Sequence, residues 1–218
     1  MMALSRNSIA LSITLLGAIP VWALDWRQST LEANAAPFQK TVTLTFDFKN
    51  SRARPIHLLD LQTSCSCLSA KSNKSTYPAG ESGQIIAEFS AEEPPGIYER
   101  HIMILTDESP TPQRLTVKIV IPELAQLTPR SVEWRLNEKA DEQSVELHAA
   151  DGLRIEFTKA IPSNDSFIAR IDLLEKGRSY RLILRPNSTA AVANAAIRIY
   201  GHDDHGHEIL LSAYANVR

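Results

Sequence analysis

Cys65 and Cys67 are the only thiols in the 218 residues, and a single serine separates them. On a regular strand, residues i and i+2 share a face with their β-carbons about 6–7 Å apart, whereas a disulfide needs about 3.5–4.5 Å. Joining the two therefore demands a tight turn or a bulge. The residues favour a structural pair, oxidised or buried, at a strand end. A redox-active or partner-reactive pair stays open beside it. So does a soft-metal site, with Cys65 and Cys67 binding copper(I) or zinc. Two thiolates make only half of the four-ligand shell that zinc takes. His57 and His101 could complete it if the fold brings them near.

The second cluster is Gly201-His202-Asp203-Asp204-His205-Gly206-His207. Imidazoles and carboxylates this close could hold a divalent ion. The segment also lies between two alternating runs, where a hairpin loop needs polar Asp, His and Gly. A solvated loop is the reading preferred. Other catalytic patterns are missing from the sequence. There is no Gly-x-Ser-x-Gly elbow and no glycine-rich phosphate cradle with lysine. Glu92 and Glu93 sit in a proline-rich turn. No catalytic residue is assigned, and the chain is read as not an enzyme.

The elements that must position these residues read as strands. Thr41 to Phe48 alternates cleanly, with Val42, Leu44, Phe46 and Phe48 on one side. Period two marks a half-buried strand. Ile56–Leu61, Gln84–Ser90, Glu99–Thr106 and Arg114–Val120 follow, separated by Pro, Gly, Asn and Asp turns. Counting one strand near Leu24–Leu31, residues 24–122 hold enough short strands for an immunoglobulin-like sandwich. Pro122 and Pro129 mark a stiff connector. A second alternating series runs from Ser131 to Ala215. The fold class expected is all-β: two tandem immunoglobulin-like β-sandwiches, residues 24–122 and 123–218. Trp26 and Trp134 are expected in core or inter-sheet packing.

Before them lies a targeting segment. Arg6, the apolar run Ile9–Ile19 and the small residues of Val21-Trp22-Ala23 read as a signal peptide over residues 1–23. The run is too short to span a bilayer. The expectation is a periplasmic or secreted protein with no stable membrane insertion. Charge is balanced in both halves, and the net charge is −2. Neither half offers a basic footprint for nucleic acid. The partners expected are envelope proteins. No cofactor is expected apart from the copper or zinc alternative.

Several motifs carry a resemblance. Phe46-Asp47-Phe48-Lys49-Asn50, Arg54-Pro55-Ile56, Thr63-Ser64-Cys65-Ser66-Cys67-Leu68 and Pro78-Ala79-Gly80-Glu81-Ser82-Gly83 occur in that order. Together with Gly96 and Thr106-Asp107 they resemble a secreted bacterial domain of unknown function with a Cys-Gly-Cys motif. That domain is similar to the immunoglobulin-like domains of the ASPM, SPD-2 and Hydin group. The resemblance covers roughly residues 24–122. It implies a sandwich fold and export, and no activity. Ser66 stands where the family pattern has glycine, and Leu68 where it has threonine.

Overall fold

The computed structural model describes residues 24–218, so the signal-peptide reading of residues 1–23 lies outside the described residues. Every regular element among the described residues is a strand. The first nine are β1 (Leu24–Trp26), β2 (Thr30–Asn34), β3 (Thr41–Asn50), β4 (Ile56–Thr63), β5 (Leu68–Ser72), β6 (Thr76–Tyr77), β7 (Ser82–Ser90), β8 (Gly96–Thr106) and β9 (Ser109–Ile121). The other eight are β10 (Ala125–Thr128), β11 (Ser131–Trp134), β12 (Gln143–Ala149), β13 (Ile155–Pro162), β14 (Phe167–Glu175), β15 (Ser179–Pro186), β16 (Ala193–Asp203) and β17 (Glu208–Val217).

They form two tandem immunoglobulin-like β-sandwiches. In the first, the sheet β1-β3-β7-β5 faces the sheet β2-β9-β8-β4-β6. In the second, β10-β12-β15-β14 faces β11-β17-β16-β13. Setting β6 aside, the two halves have the same strand order and the same switch of sheets along the chain. In each, the second strand pairs in parallel with the last, β2 with β9 and β11 with β17. All other pairs are antiparallel. Alternation explains the layers, since inward residues such as Val42, Phe46 and Phe48 fill one core while Thr41, Thr43 and Lys49 face out. Leu147, Leu182, Ile197 and Ala213 do the same in the second core. Trp134 is buried in that core, and Trp26 reaches across the first, its Nε1 donating to Gln113 Oε1 at 2.9 Å.

Three local readings are corrected. The single strand expected near Leu24–Leu31 is two, β1 and β2, which belong to opposite sheets. Leu68–Ser72, read as part of a turn-rich stretch, is the edge strand β5. Ala125–Thr128, read as connector, is β10, paired with β12 from Ala125↔Ala149 onward. Short edge strands carry too few alternating residues to announce themselves.

The resembling motifs have physical jobs. Asn50 is fully buried, and its side-chain amide donates to Tyr77 O at 2.8 Å and Arg54 O at 2.9 Å. Its Oδ1 accepts from Arg52 N at 2.9 Å, so one side chain fixes two turns. A β-carbon on Gly83 would run into the rings of Tyr77 and Phe48, which explains a glycine in mid-strand.

An aromatic contact crosses between the sandwiches. Ala36-Pro37-Phe38-Gln39 closes a turn with Gln39 N donating to Ala36 O at 3.1 Å. Phe38 sits at its third position with φ of 62°, a backbone state that glycine usually takes. Its ring stacks on His207 of the second sandwich, with centroids 4.5 Å apart, and packs against that core.

Candidate functional site

β4 belongs to one sheet and β5 to the other, so Ser64–Cys67 is the chain's crossing between sheets. Both sheets hold it. Ser64 N donates to His101 O at 3.0 Å, and His101 N donates back to Ser64 Oγ at 3.0 Å. On the other side Ser90 N donates to Cys67 O at 2.8 Å. Leu68 then enters the core, only 3% exposed. Cys65 and Cys67 are joined as a disulfide, with α-carbons 5.3 Å apart. The turn thus supplies the approach that a straight strand denies. Ser66 adopts it without a left-handed backbone, since Phe38 and Asn137 are the only non-glycine residues with positive φ among those described. The family's glycine is dispensable for this conformation.

Both cysteines are half-buried and pack against the first core. Arg100 Nε points at Cys67 Sγ, 3.4 Å away. The guanidinium also lies over the Tyr98 ring, 5.1 Å from its centroid, and Nη1 donates to Glu99 O at 3.0 Å. No carboxylate pairs with it among the described residues. A cation therefore stands against one sulfur of the bridge. Sequence reasoning missed Arg100, although the signal was present. It occupies the inward phase of β8, between Tyr98 and Ile102, where an apolar residue belongs.

The histidines considered as further ligands do not converge on the sulfurs. His57 lies at the start of β4, roughly 20 Å of strand from the turn, and its Nδ1 meets Thr76 Oγ1 at 2.9 Å. The His101 ring meets Thr116 Oγ1 at 3.5 Å and Glu99 at 3.9 Å. In the oxidised turn neither sulfur is a thiolate, so copper or zinc at Cys65 and Cys67 would require prior reduction.

The second sandwich repeats this turn without cysteine. Between β13 and β14, Ser163 N donates to Ala196 O at 2.9 Å and Ala196 N donates to Ser163 Oγ at 3.2 Å. Asn187 N donates to Ser166 O at 2.8 Å, and Phe167 is buried as Leu68 is. Position by position, Asn164 stands for Cys65 and Ser166 for Cys67. Where the first turn has a sulfur bridge, the second has Ser166 N donating to Asn164 Oδ1 at 3.0 Å. Arg100 has Ala195 as its counterpart, a buried core residue. The disulfide also closes a very short loop. Chain-entropy arithmetic gives such a loop only about 1.6 kcal/mol.

In the second cluster, Asp203 ends β16 and is 4% exposed. Its Oδ1 accepts from the backbone N of His205 at 2.9 Å and of His207 at 2.8 Å, and its Oδ2 meets the His207 ring Nδ1 at 2.8 Å. Asp203, Asp204 and His205 bring ligand atoms within 4.8 Å of one another. The buried carboxylate is already committed to folding the hairpin, and to seating the ring that Phe38 covers.

No curated protein matches the chain in sequence. Among solved structures it is similar to a protein of unknown function from Porphyromonas gingivalis W83, at 11% identity and a TM-score of 0.36, over 90% of this chain and 100% of that one. It is also similar to a PapD-like (ASH) domain of human CEP192, at 10% identity and a TM-score of 0.38, over 55% and 99%. A third is the YadV chaperone, at 12% identity and a TM-score of 0.33, over 88% and 100%. At these values the likenesses supply neither partner nor activity. In sequence, residues 24–121 match the family described as a protein of unknown function, DUF1573.

Proposed function

We propose that the protein is an exported, non-enzymatic binding module of the periplasm or cell envelope, and that the second sandwich carries its docking face. One observation carries this reading. In the middle of the outer face of β13, β16 and β17, between Glu156 and Glu208 at one end and Asn194 and Asn216 at the other, lies a largely apolar and cationic patch where a solvated sheet would be polar. Register puts Ile161 opposite Arg198, Lys159 opposite Tyr200, and Tyr200 opposite Leu210. Residues directly opposite share a face. Ile161, Leu210 and Tyr214 are 45%, 59% and 47% exposed. Lys159 lies over the Tyr200 ring at 4.6 Å, and neither it nor Arg198 meets a carboxylate among the described residues. Aromatic and aliphatic anchors beside unpaired cations suit a protein surface that offers apolar groups ringed by carboxylates.

Among the described residues no helix is long and apolar enough to cross a membrane. The reading is tested with a photo-crosslinking residue at Tyr214 in cells. An envelope protein should be captured, and Leu210→Glu together with Lys159→Glu should abolish capture without moving the melting temperature. Capture that persists in the double variant rejects the face. Amino-terminal sequencing of the envelope-fraction protein should begin at Leu24; a start at Met1 rejects export by cleavage.

A further inference from the structure

We propose that the Cys65–Cys67 disulfide is a thiol–disulfide exchange site that accepts two electrons from a protein dithiol while its turn stays folded. Three observations carry this. The bridge spans one intervening residue, so opening it frees almost no chain. The cysteine-free turn of the second sandwich, with Ser163, Asn164 and Ser166 in matching hydrogen bonds, shows that the fold makes this crossing unaided. Arg100, 3.4 Å from Cys67 Sγ, occupies a place that the second sandwich gives to a core alanine.

The chemistry follows from that asymmetry. A thiolate of the partner attacks Cys65 Sγ, the sulfur–sulfur bond breaks, and Cys67 leaves as a thiolate against the Arg100 guanidinium. A sulfur that departs as a stabilised anion is the better leaving group. The partner's second thiolate then attacks the partner's own sulfur in the mixed disulfide and releases Cys65. The partner dithiol is oxidised to a disulfide, and Cys65 and Cys67 are reduced to two thiols that take up the two protons. The site lies on the first sandwich and does not depend on the docking face of the second.

The test uses the mature protein. Equilibrated against dithiothreitol and glutathione redox buffers, and read by maleimide mass-tagging, it should open to the dithiol and close again. Its melting temperature should change by only a few degrees. Cys65→Asn with Cys67→Ser, which installs the second sandwich's turn, should fold and melt close to the native protein. In Cys65→Ser, alkylation of Cys67 by iodoacetamide should have its pH midpoint below the ordinary thiol value, about 8.5. Adding Arg100→Met should raise that midpoint and slow alkylation at pH 7 about tenfold. Unfolding on reduction, or failure of the asparagine–serine variant to fold, would make the bridge a structural staple. A midpoint that Arg100→Met does not move would remove the directed leaving group. Either result overturns the proposal.

Discussion

Asp203 shows what one carboxylate does when a hairpin is built around it. Burial alone would push its carboxyl up. The bond to the His207 ring, the backbone N–H groups of His207 and His205 and the charge of His207 outweigh that and hold it at about 2. An unfolded aspartate titrates near 3.9. The folded form thus binds its proton less readily, and the stabilisation is complete above about pH 4. It is lost as pH falls from there through about 2. Asp203→Asn should lower stability at neutral pH and flatten the pH dependence between those limits. Urea unfolding across a pH series measures both, and an unchanged slope would show the carboxylate unlinked to folding. The sequence exposed the cluster as polar loop chemistry, because Asp, His and Gly types speak for themselves. That Asp203 would be buried and Asp204 exposed was hidden, since Asp203 is the last residue of β16 in register with β13, opposite Ile155, and Asp204 lies beyond it.

At the scale of elements, alternation in β3 and β12 was plain because these strands repeat their period over several residues. β5, β6 and β10 were not legible, being edge strands of five residues or fewer, too short to show a period. Arg100 escaped because Ile102-Met103-Ile104-Leu105 is apolar on both faces and hides the phase of β8. The turn at Phe38 was equally silent. Nothing in Pro37-Phe38 announces that a bulky side chain will take a backbone state suited to glycine. Phe38→Gly should relax that turn and remove the ring stacked on His207. Limited proteolysis between the sandwiches should then accelerate several-fold, with strands β1–β9 intact by circular dichroism. Unaltered cleavage would mean that the ring does not restrain the pair.

At the scale of the whole molecule, the described residues form two separate buried clusters, one drawn from residues 24–119 and one from residues 125–217. Two cores predict two unfolding units. Asn50→Ala leaves the buried Tyr77 carbonyl and the part-buried Arg54 carbonyl without their donor, at a cost of about 3 kcal/mol. Calorimetry should show two transitions, with only one moved by Asn50→Ala; a single transition shifted as a whole would establish one cooperative unit. The shared strand order could not be seen in the residues, because the two cores meet the same geometry with unrelated side chains.

The parallel pairing of β2 with β9, Thr30 to Asn34 against Thr116 to Val120, and of β11 with β17 gives the chain a mechanical character. Tension applied to the two ends of either sandwich runs along those strands in opposite directions. Every rung of the ladder is then loaded together instead of peeling open one by one. The shared ladder, and not a single edge pair, then sets the force at which either sandwich opens.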